Sequence, residues 1–265
     1  MKVYLDDIKR HFQELWPGIP FEQPSGKEVE GQIEIGIVKS TNGSFGLNLD
    51  ELNEHLLITG RAGSGKTTIN YHIMLQLLQR GIPFLAFDFK QDYRHLLGFQ
   101  KMNIYILSWK TLKFNPLRPP LGCHPLSWAQ CFTNVFAQSY WLRSGTKSMI
   151  QDHTIRLFKD YGVFQGKDLY PSMQDLRESI YRDWLEKKYG RERDFLESAK
   201  NRLDECVIPL SEVFDCDKGF PMEDLLKQAV IFELDGLLAE NQLFLVTIIL
   251  RFIFQYRIST RYQGG

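Results

Sequence analysis

Eight consecutive residues, Gly60-Arg61-Ala62-Gly63-Ser64-Gly65-Lys66-Thr67, carry the spacing G-x-x-x-x-G-K-[ST]. That spacing suits the binding of a phosphate chain. Glycine lacks Cβ, so the backbone can take positive φ and turn its N–H groups inward around an anion. Lys66 adds a point charge for the β- and γ-phosphates, and the Thr67 hydroxyl suits a Mg²⁺ ligand. Thr68 closes the candidate stretch at the start of a helix, whose positive end favours the same anion. The ligand expected is ATP with Mg²⁺.

Such a loop needs a strand before it and a helix after it. Leu56-Leu57-Ile58-Thr59 is a short apolar, partly β-branched run that suits a buried parallel strand. Ile69, Ile73, Leu75, Leu77 and Leu78 predict a helix running to about Arg80, stopped by Gly81-Ile82-Pro83. Hydrolysis also needs a carboxylate at a strand end to hold Mg²⁺ and a group to orient the nucleophile. Asp88 ends the apolar run PFLAFD, and Glu233 and Asp235 end AVIFELD. Lys66, Asp88, Glu233 and Asp235 are therefore the candidate catalytic residues, and Thr67 and Asp88 the candidate metal ligands. Each strand-end acid has a structural alternative, capping the turn that follows it. The two adjacent Asp-Glu pairs, Asp50-Glu51 and Asp204-Glu205, end no apolar strand pattern.

The elements around these residues alternate. QIEIGIVK (32–39) reads as a half-buried strand, with 45–49 as its hairpin partner, and 83–88, 103–109 and 229–234 read as further strands. Between 125 and 214 apolar residues recur at helical spacing, with Pro171-Ser172 starting one helix. The expected fold is α/β, a RecA-like P-loop NTPase with a mainly parallel sheet and an all-helical insertion. Its expected parts are an N-terminal helix and linker (1–30), a first part of the core (31–124), the insertion (125–214) and a resumed core (215–265). An amphipathic helix is read at 4–15 and another at 241–256.

At 265 residues and 43% hydrophobic content the chain can bury a sizeable core. It shows no apolar run of membrane-spanning length and no signal-peptide pattern, so a cytoplasmic protein that is not integral to a membrane is expected. The four cysteines lack C-x-x-C spacing and read as ordinary thiols. Zero net charge argues against coating nucleic acid by bulk electrostatics. Yet residues 66–120 hold eight Lys/Arg against two Asp, and Lys90, Arg94 and Lys101 are candidates for contact with a polyanion. Tyr140, Trp141 and Trp184 lie in helical patterns and read as core rather than as base-stacking residues.

The stretches NEHLLITGRAGSGKTT, PFLAFDFKQDYRHLL and LKFNPLRPP resemble the HerA/FtsK superfamily of ring-forming P-loop ATPases, nearest its HerA-like branch. The resemblance covers roughly residues 31–265. It implies an ATP-hydrolysing ring motor, a hexamer, that moves or unwinds DNA without sequence specificity, with a nuclease as a further partner. It also admits a conjugation or type IV secretion ATPase working with a secretion complex. A third reading is a nucleotide-binding module with little hydrolysis. On the family's plan the Asp-Glu strand would lie beyond Gly265, and the sequence lacks room for the N-terminal barrel of many HerA-like proteins.

Overall fold

A computed structural model of the chain describes residues 30–37, 42–98 and 104–261. The helix read at 4–15 and Lys101 lie outside them. The chain divides into two compact units, Met1–Gln76 and Leu77–Gly265.

In the first unit β1 (Ile33–Ile37) and β2 (Ser44–Leu47) form an antiparallel pair with a register shift between Glu34 and Gly36. Gly46 is required there, because a Cβ would lie 2.8 Å from the Ile33 carbonyl oxygen. Helix α1 (Lys66–Gln79) crosses the division between the units. Its Gln76 amide docks on β1 as a strand would: the Glu34 N–H donates to Gln76 Oε1 (2.9 Å) and Gln76 Nε2 donates to the Glu34 carbonyl (2.7 Å). The helix ends at Gly81, φ 65°, where the Ile82 N–H reaches back to the Leu77 carbonyl.

The strand expected over 56–59 does not form. Those residues have no strand hydrogen bonds among the described residues, and Leu57 is 84% exposed. An apolar β-branched run becomes a strand only when a neighbouring strand satisfies its backbone.

The second unit is built on three parallel strands, β3 (Phe84–Asp88), β4 (Ile104–Ser108) and β5 (Ala229–Glu233), in the order β3-β5-β4. The central strand is buried throughout, as its unbroken apolar run requires. Between β4 and β5 come α2 (Pro125–Ser139), α3 (Ser144–Asp160), α4 (Met173–Glu186), α5 (Arg191–Val207) and the short α6 (Ser211–Phe214) and α7 (Met222–Leu225). Ser172 and Asp175 form a reciprocal capping box at the start of α4. After β5 runs α8 (Ala239–Arg261).

These helices and the sheet share one hydrophobic core. Trp128 of α2 meets Phe252 of α8 edge-on, and Phe136 meets Phe244 in the same way, with centroids 5.9 and 5.4 Å apart. Residues Ala239–Thr260 of α8 are long and apolar enough to cross a membrane by length and composition, contrary to the sequence reading. Part of that apolarity is core, with Phe244, Leu245, Ile248, Ile249 and Phe252 buried, while Leu243, Leu250, Phe254 and Ile258 are exposed. One such helix, packed in this way, does not indicate an integral membrane protein.

Of the three aromatic residues read as core, Tyr140 is 2% exposed and its hydroxyl donates to Asn241 Oδ1 at 2.5 Å. Trp184 is half-buried and stacks on Tyr181. Trp141 overturns the reading, being 82% exposed at φ 56°. It sits just past the cap of α2, where the Leu142 N–H bonds the Ala137 carbonyl at 2.9 Å. That helix ending favours glycine, and a left-handed Trp costs about 1–2 kcal/mol. Helical periodicity continued one residue too far had placed its side chain inward.

Candidate functional site

The phosphate loop lies in the first unit and has the backbone its glycines permit. Gly63 and Gly65 take φ of 76° and 91°, and a Cβ on either would meet nothing within 4 Å, so the concave side is open. At Gly60 a Cβ would lie 2.4 Å from Ser64 Oγ, so a side chain there would force the serine hydroxyl to move. Lys66 Nζ folds over the loop and donates to the carbonyls of Gly60 (2.8 Å) and Arg61 (2.9 Å). Thr67 and Thr68 are exposed in the first turn of the fourteen-residue α1. Arg61, Ala62 and Ser64 complete an exposed rim. Open backbone, a lysine and a helix N-terminus fit a triphosphate.

The candidate carboxylates lie in the second unit, at the carboxyl ends of β3 and β5, where open α/β sheets place ligands. Asp88 is buried and caps its own loop: Oδ1 accepts from the Lys90 N–H at 3.0 Å and Oδ2 from the Tyr93 N–H at 3.1 Å. Glu233 is also buried, and both its oxygens accept from Arg94, Nε at 2.6 Å and a terminal nitrogen at 2.8 Å. This bidentate pairing holds the Arg94 pKa above its ordinary value, first through the hydrogen bond and then through charge. Asp235 accepts from Gln91 Nε2 at 2.6 Å, and its carbonyl accepts from the Trp109 indole at 2.8 Å. Gln91 itself takes φ 60°.

The loop 88–94 is thus tied twice to the end of β5, and β4 is tied to it by Trp109. Sequence reasoning had picked these acids singly and missed their partners. Arg94, read as a polyanion contact, is the counter-ion of Glu233 with its side chain half exposed, and Lys90 is exposed. Among the described residues no group of three or more His, Cys, Asp or Glu side chains is placed to hold a metal.

The family described as "Helicase HerA, central domain" matches residues 33–253. The chain belongs to this HerA family. VirB4 of Thermoanaerobacter pseudethanolicus has a similar structure, with a TM-score of 0.62 at 15% identity over 88% of this chain and 64% of that one. At that identity the likeness shows the fold alone, and the chain spans less than two-thirds of the VirB4 chain. No curated protein matches. Members of this family are P-loop ATPases, which bind nucleotide, usually with Mg²⁺, and usually assemble as oligomeric rings.

Proposed function

We propose that this HerA-family chain works in a ring of identical subunits that couples ATP hydrolysis to movement along DNA or to its unwinding. The observation that carries the reading is the open phosphate loop closed by Lys66 at the head of α1, in a chain of this family. Lys66 would exchange its two carbonyl acceptors for phosphate oxygens of a bound nucleotide, and the Thr67 hydroxyl would be a ligand for Mg²⁺. Asp88 is the proposed carboxylate for the metal. Glu233 and Asp235 are the further candidates, in the states set by Arg94 and Gln91. Held by these residues, Mg²⁺ would supply positive charge to the phosphates during bond breaking.

The test is ATP turnover by the purified chain with and without duplex DNA, beside Lys66→Ala. DNA-stimulated turnover abolished by the substitution is the expected result. Unchanged nucleotide affinity in Lys66→Ala would overturn the loop assignment. Turnover indifferent to DNA would move the cargo to protein. Binding with negligible turnover would make the chain a nucleotide-binding module.

A further inference from the structure

Helix α2 is sharply two-sided. Trp128, Phe132 and Phe136 face the core, while Ser127, Gln130, Asn134 and Gln138 form an exposed stripe at three- and four-residue spacing. Two open depressions, about 480 and about 580 Å³, lie along that stripe and share Asn134 and Gln138, and together they form the candidate groove. Arg251 of α8 lines the first and Lys147 of α3 the second, and no carboxylate lines either. Trp141, the strained and exposed residue at the end of α2, lines the second.

From Ser127 to Trp141 the groove runs roughly 20 Å at the rise of an α-helix. It offers a cation in each half, amide groups between them and a free aromatic face at one end. Phosphates along a strand need the first two, and an unstacked base needs the third. An acidic peptide would use the same cations, and it is the nucleic-acid part of the proposed function that favours a strand here. We infer that this groove on the helical part of the chain binds a single nucleic-acid strand, with Trp141 stacking on a base and Lys147 and Arg251 on phosphates. The inference rests on the nucleic-acid part of the proposed function, but not on ATP turnover.

The test is the affinity of the full chain, without nucleotide, for a fluorescent 20-base oligothymidylate across a salt series, with duplex of equal length alongside. Trp141→Gly relaxes the backbone while removing the ring. Its melting temperature should hold or rise, while its affinity for the strand falls about tenfold or more. Arg251→Gln and Lys147→Gln should each weaken binding and lower the salt dependence by about one counter-ion. Lys66→Ala should bind the strand as the unsubstituted chain does. Single-strand binding that survives all three groove substitutions would overturn the inference and leave the motor reading standing. Binding to duplex alone would do the same. No binding to either form would overturn both. Loss of strand binding in the groove variants of a chain without ATP turnover would uphold the groove and sink the motor.

Discussion

A lysine that donates to two carbonyls of its own loop keeps its charge over the concave face without a ligand, so little reorganisation separates it from a phosphate-bound position. The three strand-end acids differ in what they can still offer. Glu233 has both oxygens engaged by one guanidinium, and Asp235 leans on a neutral amide. Asp88 has one backbone N–H on each oxygen, which orients the carboxylate while leaving lone pairs for a cation. The proposed metal role of Asp88 therefore predicts an order. Asp88→Asn should raise the Mg²⁺ concentration needed for half-maximal nucleotide binding about tenfold, and Asp235→Asn should raise it less. Titrating Mg²⁺ at fixed ATP analogue decides the matter, and the reverse order would move the role to Asp235.

Among the elements, legibility followed how local the cause was. The phosphate loop, α1 with its glycine stop and the Ser172 start of α4 are set by residues within a turn of each other, and all were readable. Residues 56–59 were not, because a strand depends on a partner that the run itself does not specify. The Arg94–Glu233 pair joins residues far apart in the chain, so no local pattern announces it. Asn115 is a case between these. The Asn-Pro-Leu stretch was picked out by resemblance, and the structure supplies its physics. The buried Asn115 donates to the carbonyls of Pro171 (2.9 Å) and Asp217 (2.6 Å) and accepts from the Leu117 N–H (2.9 Å). One amide thereby fastens the segment after β4 to the start of α4 and to the turn before β5. Asn115→Ala strands two buried polar groups and a part-buried one and should destabilise the fold by about 2–4 kcal/mol. Urea unfolding would check it, and a loss under about 1 kcal/mol would mean that water replaces the latch.

At the scale of the whole molecule, one buried group should tie stability to pH. His153 of α3 is 5% exposed and sits between α3 and α4. Its Nδ1 accepts from Arg156 at 2.7 Å and lies 2.9 Å from Ser179 Oγ, while Nε2 lies 3.4 Å from Asp183 Oδ2. Burial, and then the Arg156 charge, push its pKa down to about 4, against the pull of Asp183 and Asp152. The folded chain therefore carries this histidine neutral, whereas the unfolded chain protonates it near pH 6.5. Between those values the unfolded state binds the extra proton, so stability falls as the pH drops through 6.5 and rises as it returns. Arg156 and Asp183 are each more than a third exposed. With water screening them, the loss between pH 7.5 and 5 should be roughly 1–2 kcal/mol. His153→Gln keeps polar atoms at the site but cannot titrate. Chemical denaturation of both proteins at the two pH values should show the substituted chain losing less than the native one. Equal losses would place the pH dependence on the carboxylates elsewhere in the molecule.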